Sequence, residues 1–365
     1  MTWLRQLFKR DSAATERWRV LQLEVTSRCL LHCTFCPKNV LDSHWIYGDL
    51  PWSVFSECIA PHLSRFDLVY LQGWGEPLLH PQLFEMLRVT KAAGCQVGFT
   101  TCGSALDEAN SLRLLEAGLD ILSISFSGAT PETHEALRVG SNFRQLVANV
   151  ERITRLKKER ALKTLLVEVH FLMLRANIHE LPEFVRLAAA LGADEAVATN
   201  VVYTPTRAIA AQRVFGMSPD PHHRALVDQA EREARRLGIT LRVYPLTMDY
   251  NILECDARPT EAVYINHLGQ VAPCVYLGLP VREKASRIFE EQEHPVTVVN
   301  FGNVCLGLVA AMQGAERAKF IGAFRARKTF AYSALALSAA SGASQPAELP
   351  APPPPCRFCY KMYGV

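Results

Sequence analysis

Between Val20 and Tyr203 the chain repeats one local pattern, a short apolar run of strand length followed by a stretch of helical periodicity, and this repetition constrains the fold more than any other feature. Strands are predicted near 20–26, 68–73, 96–101, 120–127, 164–174 and 196–203. Helices are predicted near 52–63, 80–94, 106–118, 130–160 and 177–192, with another after Pro219. Alternating units of this length build a parallel sheet. A sheet covered on both faces would have uniformly apolar strands, and these strands are not uniform. Gln22, Glu24 and Thr26 alternate with Leu21, Leu23 and Val25. Ser123, Ser125 and Ser127 alternate with Leu122, Ile124 and Phe126, and Glu168 and His170 with Val167, Val169 and Phe171. Repeated polar strand faces point to a barrel whose interior holds something other than packed side chains. The fold class expected is therefore α/β, a partial (β/α)6 TIM-type barrel.

At 365 residues the chain has room for more than one domain. With 49% hydrophobic and 21% charged residues it is neither a disordered chain nor a coiled coil. A formal net charge of +3 gives no electrostatic reason to expect nucleic acid or an acidic membrane as partner. The basic cluster Arg152, Arg155, Lys157, Lys158, Arg160 and Lys163 reads as a solvated helix face. No membrane span is expected, because the uncharged stretch 329–347 is interrupted by Ser333, Ser338, Ser341, Gly342, Ser344 and Pro346. Eleven cysteines, an odd number in a long chain, do not read as a disulfide framework, and the opening residues lack the apolar core of a secretion signal, so a cytoplasmic setting is expected.

After about residue 245 the rhythm changes. Residues 261–266 and 270–273 read as a hairpin with Gly269 at its turn. The division expected is a helical segment over 1–17 packed as a lid, a barrel over 18–245, and a small C-terminal α+β domain over 246–365. The last carries an Ala/Pro-rich insertion at about 310–355, its Pro-rich end extended.

Directly after the first strand, Cys29, Cys33 and Cys36 follow a C-x3-C-x2-C spacing. Three thiolates on one short loop can converge on a soft metal centre, zinc or iron-sulfur. Where four ligands are usual, three leave one position open to an outside molecule; His32 is the available fourth ligand if the centre is a structural zinc.

This loop, with Phe35 before the last cysteine, resembles the signature of the radical S-adenosylmethionine (radical SAM) superfamily. The resemblance implies a [4Fe-4S] cluster on Cys29, Cys33 and Cys36, S-adenosylmethionine bound to its unique iron, and Phe35 against the adenine. Gly73-Trp74-Gly75-Glu76-Pro77 is similar to the family's Gly-Gly-Glu-Pro motif, which contacts the cosubstrate's amino group; Trp74 replaces a glycine. The segment from Ser123 to Gly140 is similar to a fourth-strand segment that places Ser125, Ser127 and Arg138 near the cosubstrate, with Ser127 where aspartate is common. Cys102 stands where the family usually has asparagine and reads as a packed thiol.

Cys255, Gly269 and Cys274 are similar to the start of the family's SPASM or twitch extension. With the C-x2-C pair Cys356 and Cys359, this resemblance implies a second, auxiliary [4Fe-4S] cluster. Zinc on the same four cysteines is the alternative. Cys305 either substitutes for one ligand or sits at a turn before a helix as an ordinary buried thiol, like Cys58 and Cys95 within their helix patterns.

The activity implied is reductive cleavage of S-adenosylmethionine to a 5′-deoxyadenosyl radical that abstracts hydrogen from a substrate. The outcome would be an oxidation or the modification of a peptide or small molecule, with electron transfer through the auxiliary cluster. Glu168 and His170 are the residue-level candidates for substrate contact or proton transfer. Asn200, on the sixth strand, joins them as an inward-facing contact in the cosubstrate region. The partners expected are a small-molecule or peptide substrate and an electron donor such as flavodoxin or ferredoxin. A zinc-stabilised non-catalytic binding protein and a radical SAM RNA-modifying enzyme are the alternatives.

Overall fold

The computed structural model describes residues 18–282, 284–341 and 348–365. The helical segment expected over 1–17 lies outside the described residues, as does part of the Ala/Pro-rich insertion.

The repeating pattern resolves into strands β1 (Val20–Leu23), β2 (Leu68–Tyr70), β3 (Gln96–Thr101), β4 (Ile121–Phe126), β5 (Leu166–Met173), β6 (Glu195–Asn200) and β7 (Thr240–Val243). They pair in chain order, each parallel to the next. Between them run α1 (Leu83–Ala92), α2 (Glu108–Glu116), α3 (Pro131–Leu137), α4 (Phe143–Glu159), α5 (Leu181–Ala190) and α6 (Pro221–Leu237). The expected α/β partial barrel is what this sheet shows. It is not closed among the described residues.

Two differences have local causes. The helix expected over 130–160 is broken in two, because Gly140 takes φ +92° and Arg138–Val139 pairs antiparallel with His32–Cys33. The helix expected at 52–63 is instead a π-turn, Val54–Ile59, running into a 3-10 turn, Ala60–Arg65.

The hairpin after residue 261 is present as β8 (Ala262–Ile265) and β9 (Gln270–Ala272), with Gly269 at φ +76° in the turn. β8 pairs in parallel with β1, so the expected boundary near 245 falls inside one continuous sheet. A separate hairpin, β10 (Ala285–Phe289) with β11 (Gln292–Val296), follows. The short strand β12 (Gly302–Asn303) then pairs with β9 and ends the main sheet. Helices α7 (Leu308–Gln313) and α8 (Ala315–Ser341) complete the chain before the C-terminal turns. Among the described residues no helix is long and apolar enough to cross a membrane.

The apolar strand faces, including Leu21, Leu23, Val97, Phe99, Leu122, Ile124, Val167 and Val169, pack outward against Leu83, Leu87, Leu114, Leu146, Val150 and Phe184 of the helices. This burial, worth about 1.5–3 kcal/mol for each large side chain, holds the barrel wall. The polar row Thr100, Ser123, Glu168 and Glu195 runs in register across four strands on the other face.

Candidate active site

The loop leaving β1 carries Cys29 and Cys36, half-buried, and Cys33, buried. All three line one cavity of about 250 Å³ together with Phe35, Gly73, Trp74, Gly75, Glu76, Thr101, Cys102, Ser125 and Arg138. The glycines are required by close approach. A Cβ on Gly75 would lie 2.3 Å from the Thr26 carbonyl oxygen, and one on Gly73 would lie 2.4 Å from Glu24 Cγ. Burial pushes the Cys36 thiol up to about 11 and raises Cys33. Cys29 is lowered, first by a hydrogen bond from Cys102, which outweighs its burial. Cys102 is therefore not simply packed away: it faces the cysteine loop. His32, the fourth ligand considered for zinc, is exposed.

Glu76 is buried and holds the loop end of β3. It accepts hydrogen bonds from Thr101 Oγ1 and from the Cys102 amide, both at 2.7 Å. Burial raises its carboxyl well above the ordinary value. Pro77 and Ser127 are not on the cavity wall. Ser127 lies one residue beyond the end of β4, fully buried, where its hydroxyl accepts from Arg138 Nε at 2.8 Å and so positions an arginine that does reach the cavity.

A second cavity of about 250 Å³ adjoins the first and shares Phe35, Cys36, Trp74, Ser125 and Arg138 with it; His170, Asn200, Tyr203 and Tyr276 line its far side. Asn200 is also tied down, its amide donating to the Pro245 carbonyl at 2.9 Å. Trp74, Tyr203 and Tyr276 form an aromatic group with ring centroids 5.8–6.4 Å apart.

A third cavity, about 360 Å³, is the barrel lumen and reaches from Gln22, Tyr70 and Thr100 to Cys274 and Tyr276. Glu168 is its hub. Its carboxylate accepts from Ser123 Oγ at 2.8 Å and from Arg242 Nη2 at 2.6 Å, and lies 3.1 Å from His170 Nε2. Burial opposes ionisation of Glu168, but the His170 hydrogen bond and the charges of His170 and Arg242 together hold its carboxyl below the ordinary value. Arg242 Nε is also within ion-pair distance of Glu195 Oε2, 2.9 Å, without the alignment of a hydrogen bond. Lys361 pairs with Asp256 at 2.6 Å over the Tyr244 ring.

Arg242, Lys361, Asp256, Tyr203 and Tyr276 escaped the sequence reading. Only Arg242 had a usable signal, the alternation Thr240-Leu-Arg-Val-Tyr244.

At the far end of the lumen the structure brings Cys255, Cys274, Cys356 and Cys359 together. Cys274 follows β9. Cys356 closes a 3-10 turn, Pro354–Cys356, and its carbonyl accepts from the Cys359 amide at 3.1 Å. Burial pushes the Cys274 thiol up to about 12 and carries Cys255 and Cys356 well above their ordinary value, and neighbouring cysteines of the set push each in the same direction. Four buried thiols that repel one another's ionisation become thiolates only when a cation enters with them. Among the described residues no three His, Cys, Asp or Glu side chains close on the volume of a single ion.

Cys305 is neither a fifth member of this set nor buried. It is exposed, with its sulfur 3.3 Å from that of half-buried Cys58. It does sit at a turn before a helix, Val304–Leu306 ahead of α7, as expected, but that turn meets the Val54–Ile59 turn and leaves the thiol exposed rather than buried.

Another cavity, about 680 Å³, lies on an outer face among Arg155, Lys157, Lys158 and Lys163 and shares no residue with the three described.

A family model described as Radical SAM superfamily matches residues 23–188. The tungsten-containing aldehyde ferredoxin oxidoreductase cofactor-modifying protein of Pyrococcus furiosus is 27% identical over 308 residues, 82% of each chain. The PqqA peptide cyclase of Rhodopseudomonas palustris is 32% identical over 183 residues, 50% of this chain and 46% of that one, so the chain matches less than half the length of that relative. Among solved structures, native anSMEcpe with bound AdoMet superposes at a TM-score of 0.59 over 82% of both chains with 15% identity. Streptococcus suis SuiB bound to S-adenosylmethionine gives 0.56 over 74% of this chain and 63% of that one with 11% identity. At these identities the structural likeness is one of fold.

Proposed function

The chain is a radical SAM enzyme, and from that premise we propose that it oxidises or otherwise modifies a small polar molecule, or a single side chain of a peptide, inside the barrel. The family implies a [4Fe-4S] cluster and S-adenosylmethionine, which when bound supply a 5′-deoxyadenosyl radical able to take hydrogen from carbon. The residues present fit that pair. Cys29, Cys33 and Cys36 offer three thiolates from one loop to one cavity, the fourth cysteine on its wall, Cys102, is held as the thiol by its hydrogen bond to Cys29 and by burial, and the glycines at 73 and 75 leave the cavity floor open.

One observation supports the reading most strongly: the cavity of the three cysteines, the aromatic cavity and the lumen share walls in sequence, and the lumen ends at Cys274. In this reading substrate lies between the two cysteine sets. Phe35, Ser125 and Arg138 would seat the cosubstrate; His170, Tyr276 and Arg242 would orient the substrate and exclude water from the reacting carbon. Cavities of about 250 and 360 Å³ are at the small end of ligand sites, which favours a compact molecule or one inserted side chain. The charged lumen favours a polar one. A relative named as a peptide cyclase supports the peptide branch.

We assign Cys255, Cys274, Cys356 and Cys359 to an auxiliary [4Fe-4S] cluster. Four thiolates leave no open position for substrate, which suits electron transfer.

The test is 5′-deoxyadenosine formation, read by mass spectrometry after anaerobic reconstitution and reduction with S-adenosylmethionine present. A variant with Cys29, Cys33 and Cys36 all changed to Ala serves as control. Formation by the parent alone supports the reading. Equal traces in both, with a full iron complement in the parent, would overturn it.

A further inference from the structure

Three arginines are buried among the described residues, and two of them donate terminal nitrogens to carbonyls: Arg317 to Met312, and Arg327, whose Nε alone is left without a partner, to Ile252 and Pro350. Arg287 is the exception. It is 3% exposed, and both Nη1 and Nη2 are buried with no hydrogen-bond partner among the described residues. A bare guanidinium in such a place is costly, so the site is built for an anion that the protein atoms alone do not supply.

Position says which anion. Arg287 lies at the middle of β10, between Ala285 and Phe289 on one strand face. Ala285 packs in the apolar cluster that contains Cys356 and touches Cys274, and Phe289 packs on Tyr360, the residue after Cys359, with ring centroids 4.7 Å apart. The guanidinium therefore emerges between two contacts that bracket the cysteine pair. Its own stacking partner is Tyr203, with Cζ 5.3 Å from the ring centroid. The strand is pinned there, because the Ile288 amide donates to the Thr204 carbonyl at 2.7 Å and Tyr203 Oη donates to the Ser286 carbonyl at 3.3 Å. It lies near enough to Cys274 and Cys356 for its charge to act on both.

We propose that Arg287 is the counter-cation of the four-cysteine centre, donating hydrogen bonds to its sulfur atoms and making the cluster there easier to reduce. The proposal rests on the assignment of an iron-sulfur cluster to Cys255, Cys274, Cys356 and Cys359. A four-thiolate cluster carries net negative charge, and nearby charge and hydrogen bonds to sulfur are among the levers that set its potential. Arg287 acts through the cluster, so it is a positioning and tuning residue rather than a catalytic one.

The experiment uses the full chain with Cys29, Cys33 and Cys36 changed to Ala, so that iron reports the C-terminal centre alone. Iron content and an electron paramagnetic resonance redox titration are compared for this parent, Arg287→Gln and Arg287→Lys. The Gln variant should keep its iron and be about tenfold harder to reduce, about 59 mV lower for one electron. The Lys variant, which keeps the charge, should stay near the parent. Equal midpoints in parent and Gln variant overturn the role of Arg287 while leaving the cluster standing. If the parent itself binds no iron, the cluster assignment falls and takes this proposal with it. Should the Gln variant fold but lose iron, retention by the Lys variant supports the counter-cation, and loss from both overturns it.

Discussion

Glu24 and His267 stand 243 residues apart in the chain, and Glu24 Oε2 lies 2.9 Å from His267 Nδ1 with both side chains sealed from solvent. The other carboxylate oxygen of Glu24 accepts from the Trp74 amide at 2.9 Å. One side chain thus ties β1, the Gly73–Pro77 loop and the turn of the β8–β9 hairpin. Glu24 follows the last residue of β1, beyond the reach of the alternation that put it on a polar strand face; the structure uses it to brace the cavity rather than to line the lumen. Glu24→Ala leaves a buried amide and a buried imidazole unsatisfied and is expected to cost about 1–3 kcal/mol. It should lower the thermal midpoint and the yield of reconstituted iron together. A normal midpoint with normal iron would show that the brace is dispensable.

Close packing under the same loop gives a sharper case. A Cβ at Gly75 meets two backbone carbonyl oxygens, Thr26 O at 2.3 Å and Arg28 O at 2.6 Å, neither of which can swing aside as a side chain would. Gly75→Ala should displace the cysteine loop and remove most of the iron assigned to Cys29, Cys33 and Cys36 in the proposed function. Gly216→Ala is the control, since nothing lies within 4 Å of the added methyl. Equal iron in the two variants would contradict the close approach.

What the sequence disclosed and what it hid divide along the range of the interactions. The first six strands were legible because alternation is local, and the cysteine loop because its ligands fall within eight residues of one another. Ser127 was misplaced because β4 ends at Phe126, and period-two logic does not extend past the last strand residue. β7 was missed because Thr240–Val243 is short and starts two residues after Gly238, the C-cap glycine of α6. With it went Arg242, the partner of Glu168. No local signal says that β8 will pair with β1, or that Cys58 will meet Cys305. The third cavity is walled by residues from β1 to Lys361, which only the closed chain brings together.

The lumen network has a pH signature. The folded state holds the Glu168 carboxyl below its ordinary value, so the folded state binds its proton less readily than the unfolded chain. Its stabilising contribution is complete above the unfolded value, about pH 4.3, and is lost as pH falls through the lowered folded value. The thermal-midpoint gap between the parent and Glu168→Gln should therefore hold steady through neutral pH and narrow only in the acid range below about pH 4. A gap that instead shrinks well above the acid range would show that the lowered carboxylate is not what the substitution removes.

His170 lines both the aromatic cavity and the lumen and is one quarter exposed, which makes it the titratable group best placed to meet a substrate. Changing it to Ala removes one partner of Glu168 while Ser123 and Arg242 keep theirs, so the wall should survive. The expected result is unchanged iron and unchanged S-adenosylmethionine binding, with turnover of substrate reduced by about 10²–10⁴-fold if the imidazole moves a proton. Unchanged turnover would remove His170 from the chemistry.

The two thiols at the seam between the Val54–Ile59 turn and the Val304–Leu306 turn make a prediction independent of the cavities. Cys305 is exposed and Cys58 is half-buried, and Cys58 is pushed up to about 11, first by burial and then by its hydrogen bond with Cys305. Oxidised glutathione should therefore react at Cys305 first, forming a mixed disulfide and releasing one glutathione thiolate. Cys58, as its thiolate, then attacks the Cys305 sulfur and releases the second, so two protein thiols are oxidised and one glutathione disulfide is reduced to two thiols. The second step needs the Cys58 thiolate and should quicken as pH rises. Peptide mass mapping of the oxidised protein should show residues 58 and 305 linked, whereas Cys58→Ser should stop at the glutathione adduct on Cys305. Neither thiol lines the cysteine cavities, so iron content should be the same before and after. A parent protein that also stops at the adduct would mean the two sulfurs do not meet in solution as they do in this fold.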